Sequence, residues 1–406
     1  MEALRQQRRV REHAATGTEV WDGLRGVAIL LVLAYHTWLF SWFTPKLGIF
    51  GLALPIATPV RAGYLGVELF FVISGFVLFL PYARRMVFGG SQPAVAEFAR
   101  RRFLKIVPSY ALALTFTVLS ALSLTPKPAS LLSTIANHVA FVQNFYADEL
   151  GVANSVFWSL AIEVQFYLIF PLVAWAFVRR PAIVAGSMIA IAMIYRARVD
   201  LCCAQLEAIT RQLPAFLDLF ACGMIAAWLL VRMRATIPDI KKYAMVCTIL
   251  AWVAIAAGWL LVAGADKQTY IPTGREHWIA SHRTLFGVAV ATFGVASSFA
   301  FGWWRRLVAN PVLTFLALIS YNLYLWHTLV LIWMWKHGFP AAATPEPHDD
   351  PHWKLVYIAG GWFFAILIAT AITYFIERPL LPGHQPFSFD WRLRRLPSIA
   401  PREKRT

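Results

Sequence analysis

The sequence predicts an all-α integral membrane protein with about ten transmembrane helices and both termini cytoplasmic. Three observations carry that prediction. Of the 406 residues, 59% are hydrophobic and only 14% charged, against about 25% charged in a soluble domain, so the bilayer rather than water must be the main solvent. The apolar residues gather in ten stretches close to the ~20 residues needed to cross a ~30 Å hydrocarbon core. Basic residues outside those stretches fall more than two to one on the side holding both termini, which is the bias that orients membrane helices.

The ten stretches are 24–43, 63–83, 106–125, 157–178, 182–197, 214–231, 243–263, 284–302, 311–335 and 353–376, the fifth being short. The first follows a tail with Arg5, Arg8, Arg9 and Arg11. It contains Arg25 and His36 and runs on to Phe43, so it reads as a retained span rather than a signal peptide. The expected domain plan is a basic cytoplasmic tail over 1–20, one membrane domain over 21–380 and a basic, Pro-punctuated cytoplasmic tail over 381–406. Loops on the outer side (126–156, 198–213, 264–282 and 336–352) are too short for a separate domain. The last of them, with Pro340, Pro345, Pro347 and Pro351, reads as irregular. There is no repeat of fixed period and no Gly-rich phosphate loop.

A formal charge of +16 would suggest nucleic acid in a soluble protein. Here the topology accounts for it, and no nucleic-acid partner is expected. Four cysteines make no disulfide framework. Cys222 and Cys247 sit in apolar runs as small core residues, and the neighbours Cys202 and Cys203 carry no assigned role.

A charged side chain in mid-bilayer costs at least ~2.5–3.5 kcal/mol, so each one needs a reason. Arg25 and His36 are eleven residues apart, close to three helical turns, and therefore share a face with a rise of about 16 Å. Glu68, Glu163, Asp218 and His327 fall in other spans at comparable depth, towards the outer side. Asp218 and Ser320 read as helix-to-helix hydrogen bonders. At the inner side Arg100, Arg101, Arg102 and Lys105 open the third span, with Arg25 and Arg378 at the same level. Arg100 reads as topogenic; the others converge as a polyanionic phosphate ligand requires. On the outer side Arg196, Arg198, Lys267 and Arg275 read first as ordinary exposed cations, with attraction of an anionic glycan the lesser alternative. The chain thus divides into an inner, phosphate-friendly end and an outer, acid/base end. A polytopic transporter with a buried acid/His proton relay is the alternative reading, although the inverted repeats and broken helices of that class are not found.

Several motifs together resemble the acyltransferase family 3 membrane proteins over about residues 20–380. They are Asp22-Gly-Leu-Arg25 followed by His36; Gly66-Val-Glu-Leu-Phe-Phe-Val-Ile-Ser-Gly-Phe76; and Arg101-Arg102-Phe-Leu-Lys105-Ile-Val-Pro108. They continue with Trp158-Ser-Leu-Ala-Ile-Glu163 and Phe166-Tyr167; the Leu213-Pro214 to Gly223-Met224 segment; and Ser320-Tyr-Asn-Leu-Tyr324-Leu-Trp-His327. The resemblance implies a multi-pass enzyme of the cell inner (cytoplasmic) membrane. It would move an acyl group, acetyl or succinyl, from cytoplasmic acyl-CoA (acetyl-CoA or succinyl-CoA) to a sugar hydroxyl of an envelope glycan or glycolipid. It also implies the stand-alone form, without the hydrolase-like domain that follows the membrane part in some members.

By the same similarity His36 would be the catalytic residue and Arg25 its partner. Acyl-CoA phosphates would be held by Arg25, Arg101, Arg102, Lys105 and Arg378. Lys105 departs from the family's arginine, and a lysine lacks the planar bidentate fork. His36 suits either a general base or a transient acyl-imidazole. Either role needs the other ring nitrogen oriented, with Glu163 the first candidate and Glu68 the second. Ser159, Tyr167, Tyr324 and His327 are candidates for the acceptor site or the oxyanion. No metal is expected.

Overall fold

A computed structural model describes residues 18–381 except 46, 50–51, 55, 91–93, 121–130, 147–148, 150–153 and 203–209. The tail arginines from Arg5 to Arg11, Cys203 and all but the first residue of the 381–406 tail lie outside the described residues. The chain is built from α1 (Glu19–Ser41), a short hairpin of β1 (Leu47–Ile49) and β2 (Leu52–Leu54), α2 (Ala57–Arg61), α3 (Gly66–Phe88), α4 (Val95–Ser120), α5 (Leu131–Val139) and α6 (Phe157–Arg179). It continues through α7 (Pro181–Cys202), α8 (Leu217–Thr236), α9 (Ala244–Lys267), α10 (Gly274–Phe299), α11 (Gly302–Val308), α12 (Pro311–Lys336) and α13 (Pro351–Ile372). A π-helical turn at Thr373–Glu377 and α14 (Arg378–Leu380) follow.

Ten of these helices are long and apolar enough to cross a membrane, and each overlaps one of the ten expected stretches. Two begin well before the apolar run does. The helix expected from 106 starts at Val95, and that expected from 284 starts at Gly274. Apolarity stops where charge begins, but a helix does not. In the first turns of α4, Glu97 pairs with Arg100 at 3.0 Å and Arg101 at 2.5 Å, the i,i+3 and i,i+4 spacing that supports a solvated helix. The all-α class holds, with one short antiparallel hairpin added, in which Leu47 pairs with Leu54.

Other helix starts are written locally. Asn310 caps α12, accepting from the Leu313 N–H at 3.0 Å ahead of Pro311. Asp350 caps α13 by accepting from the N–H groups of His352 and Trp353 before Pro351. Both pair a polar cap with a proline in the first turn. The two helices start at opposite faces: ion pairs of Glu19 with Arg305 and of Lys105 with Glu377 lie at the end that holds the first and last described helices' outer ends, Glu19 and Arg378, here called the terminal face. The β-hairpin and Asp350 lie at the far face.

The spans containing α3, α8 and α12 bury 78%, 72% and 83% of their apolar windows, whereas those of α7 and α9 bury 22% each. The first group is the centre of the bundle, and the second presents its side chains to lipid. At the centre, α3 and α8 cross backbone to backbone at Gly75 and Gly223. A methyl group on Gly223 would run into the Val72 carbonyl oxygen, and one on Gly75 into that of Phe220. Small residues at such crossings let packing replace the hydrophobic drive that lipid does not supply. Gly223→Ala is therefore expected to cost about 1–3 kcal/mol by overpacking, read as a lower melting temperature of the detergent-purified protein. An unchanged melting point would contradict this packing.

The acids expected at one depth separate in the fold. Arg196, expected on the outer surface, is buried at 1% exposure against Asp218 at 0%, with 2.8 Å between them. Thr284 donates to the same carboxylate at 2.6 Å, and Arg196 also donates to the carbonyls of Ala215 and Ala280. A buried guanidinium persists only with this full set of partners. Ser320, expected to bond a neighbouring helix, instead donates to Ala317 O of its own helix at 2.9 Å.

Candidate active site

Helix α1 brings Arg25 and His36 to one face, and α12 lays Ser320, Tyr324 and His327 along another by i,i+4,i+7 spacing. Helix α6 contributes Ser159, Glu163 and Tyr167, again four residues apart. Together with α3 and α4 these surfaces enclose two cavities. The one nearer the terminal face, about 130 Å³, is lined by Arg25, Arg102, Lys105, Ser74, Ser159, Glu163, Tyr167, Ser320, Tyr321 and Tyr324 among others. The one nearer the far face, about 450 Å³, is lined by His36, Tyr35, Tyr64, Glu68, Trp158, Arg211, Arg275, Arg283 and Tyr324 among others. Val67 and Tyr324 belong to both linings. The Tyr324 hydroxyl is fixed there by Ser159 Oγ at 2.6 Å and Val156 O at 3.2 Å.

His36 Nδ1 lies 2.9 Å from Val32 O and 3.2 Å from His327 Nε2. His327, fully buried, has its own Nδ1 2.9 Å from Leu323 O. A carbonyl oxygen only accepts, so in the neutral rings both Nδ1 atoms carry the proton. His327 Nε2 is then an acceptor for His36 Nδ1–H, and His36 Nε2 keeps its lone pair. That is the tautomer a base or nucleophile needs.

The side chain beside His36 Nδ1 is thus a histidine, and neither Glu163 nor Glu68, the expected partners, lies within hydrogen-bond reach of the ring. Each carboxylate is captured by donors nearer to it. Glu163 Oε1 accepts from Ser74 Oγ at 2.7 Å and from the Tyr167 hydroxyl at 2.5 Å, in the terminal-face cavity. Glu68 Oε1 is held by Arg283 at 2.9 and 3.1 Å, deep in the bundle. Ser159 and Tyr324 bond each other, Tyr167 is committed to Glu163, and His327 backs His36.

The expected phosphate cluster is brought together in part. Arg25, Arg102 and Lys105 line the terminal-face cavity. Arg102 lies over the rings of Tyr167 and Phe98 at 5.6 and 5.7 Å, and its Nε is buried with no hydrogen-bond partner. Lys105 is bonded to Glu377, which is 3% exposed and also accepts from Asn322 Nδ2 at 2.9 Å. Its charge is therefore already balanced. Arg101 is 65% exposed and tied to Glu97, and Arg378 lies 4.8 Å over the Tyr374 ring; neither lines the cavity. The reason is helical phase. Arg101 precedes Arg102 by 100°, so the two cannot face the same space.

Sequence reasoning missed Arg283, which holds Glu68, because the helix carrying it was expected to start at 284. A charged turn of helix was read as loop. The signal was the 275–283 segment itself, in which Arg275, Glu276 and Arg283 fall at helical spacing.

A family model described as an acyltransferase domain matches residues 19–378. The chain belongs to the acyltransferase 3 family. It is 24% identical over 383 residues to the peptidoglycan O-acetyltransferase OatA of Listeria monocytogenes serovar 1/2a, covering 88% of this chain and 55% of that protein. It is 26% identical over 341 residues to the O-acetyltransferase OatA of Staphylococcus aureus strain NCTC 8325 / PS 47, covering 77% of this chain and 50% of that protein. The chain therefore spans about half the length of these curated relatives. No solved structure matches it. The family match and, among the described residues, ten helices long and apolar enough to cross a membrane agree with a multi-pass member of that family.

Proposed function

We propose that residues 21–380 form one catalytic membrane domain that moves an acyl group, acetyl by preference, from acyl-CoA to a hydroxyl of an envelope glycan or glycolipid. The terminal face is cytoplasmic, in an inner membrane, by the distribution of basic residues. One observation carries the reading: two cavities reach the same pair of side chains, Val67 and Tyr324, from opposite faces. One is lined by Arg25 and Arg102 and the other by His36. Coenzyme A has phosphates at one end and a thioester at the end of a long arm, so the end of that arm suits the first cavity, with the phosphates on the Arg25 and Arg102 side and the thioester directed at Tyr324. An alcohol reaches His36 from the other side.

In the reaction, His36 Nε2 takes the acceptor hydroxyl proton as the oxygen attacks the thioester carbonyl carbon. The C–S bond breaks, and the departing thiolate receives the proton back from the imidazolium. His327 holds the ring in the working tautomer. The Tyr324 and Ser159 hydroxyls lie where a developing oxyanion needs donors.

Acetyl-CoA should raise the melting temperature of the detergent-solubilised protein, because a ligand at 100 times its Kd stabilises by about 2.7 kcal/mol. Free coenzyme A should do the same, since phosphates and not the acyl group supply the grip. Arg102→Ala should raise the concentration needed by roughly tenfold, the loss of one charge-assisted contact. Protein whose melting point ignores both ligands would end the acyl-CoA reading.

A further inference from the structure

The far-face cavity holds more recognition chemistry than a simple alcohol needs. Arg275 lies over the rings of Tyr64 at 4.8 Å and Tyr35 at 5.7 Å, and Tyr35 in turn packs edge-on against His36 at 5.2 Å. Its guanidinium is fixed by ring faces, while its Nε is buried and without a hydrogen-bond partner. The Tyr64 hydroxyl is likewise buried without a partner. These are two enclosed donors in the cavity that also holds the catalytic imidazole. An enclosed acceptor accompanies them. Arg283 binds only Oε1 of Glu68, and Oε2 has no partner. Glu68 is taken by Arg283. Glu276 forms no ion pair with Arg275 among the described residues.

A buried donor left unpaired is costly. The arrangement is balanced by a ligand that offers an anion to Arg275 and Tyr64 and a hydroxyl to Glu68. We infer that the acceptor is an anionic sugar, its carboxylate or phosphate seated on Arg275 and Tyr64, with one of its hydroxyls donating to Glu68 Oε2. The anion fixes the sugar so that another hydroxyl meets His36. Arg275 thereby selects the acceptor. This rests on the acyl-transfer reading for the identity of the reaction, but the subsite itself can be measured without turnover.

Two readouts separate them. In the first, purified wild-type protein is titrated with glucuronate, glucose 6-phosphate and glucose, and melting is followed. Both anionic sugars should stabilise it at concentrations at least about tenfold lower than glucose, the scale of one charge-assisted contact. The better of the two tells carboxylate from phosphate. Arg275→Gln should erase the difference, and Arg275→Lys should restore part of it, since a lysine keeps the charge without the fork. In the second, acetyl transfer from acetyl-CoA to the same three sugars is followed by mass. The ratio of kcat/KM for the anionic sugars over glucose should exceed ten in wild type and fall towards one in Arg275→Gln. Binding selectivity without any transfer would keep the subsite and remove the acyl reading. Equal binding or transfer of charged and neutral sugars by wild type would overturn the subsite and leave the acyl reading standing. So would a preference that survives intact in a folded Arg275→Gln protein.

Discussion

His36→Ala should lower acyl transfer in proteoliposomes by about 10²–10⁴-fold, the usual contribution of a positioned general base, while acetyl-CoA still raises the melting temperature of the variant. The two readouts follow from the separation of the cavities. His36 lines only the far-face cavity, whereas Arg25 and Arg102 line only the other. Removing the imidazole therefore leaves the phosphate grip untouched. His327→Ala tests a different role. It takes away the acceptor for His36 Nδ1–H, but Val32 O remains at 2.9 Å, so the tautomer is weakened and not lost. A smaller drop is expected, in kcat more than in KM for the acceptor. If His36→Ala transfers acyl groups at the wild-type rate, the chemistry assigned to this ring is wrong. A burst of free coenzyme A from wild type without acceptor, absent in His36→Ala, would instead favour an acyl-imidazole over general-base catalysis.

Much of the architecture was legible because its cause is local. A run of about 20 apolar residues has only one inexpensive way to meet a bilayer, as a helix with every backbone group paired. The ten spans followed from that alone. Their ends did not, because the turns at Val95–Arg102 and Gly274–Arg283 are helical for reasons of propensity and ion pairing that hydropathy does not register. Within the site, same-helix geometry was legible: Arg25 and His36 share a face because eleven residues make three turns. Pairings between helices were not. Glu68 meets Arg283 across 215 residues of sequence and Asp218 meets Arg196 across 22. Nothing in either segment names its partner. The same limit explains the exchange of Glu163 for His327 beside His36. Position in the chain gives both a suitable depth, and only the packing of α3 against α6, which gives Glu163 to Ser74, decides between them.

The Arg196–Asp218 pair should show how strongly such a pairing holds the bundle. Asp218→Ala is expected to cost about 3–5 kcal/mol, because it leaves a guanidinium at 1% exposure with hydroxyl and carbonyl partners but no counter-charge. That is a large share of a typical 5–15 kcal/mol total, so the variant should melt far lower or fail to accumulate as monodisperse protein. The pair is not simply a source of stability, since its two ions were desolvated to form it. A double variant, Arg196→Met with Asp218→Leu, should recover most of the loss, as apolar residues of similar volume often replace a buried ion pair at little cost. Asp218→Leu and Arg196→Met should therefore be strongly non-additive in melting temperature, as contacting groups are. If Asp218→Ala melts with wild type, the carboxylate is not compensating Arg196. If the double variant is as unstable as Asp218→Ala alone, the pair is holding geometry around Thr284 and Ala215, and the Arg283 that shares Ala215 O would lose its hold on Glu68 with it.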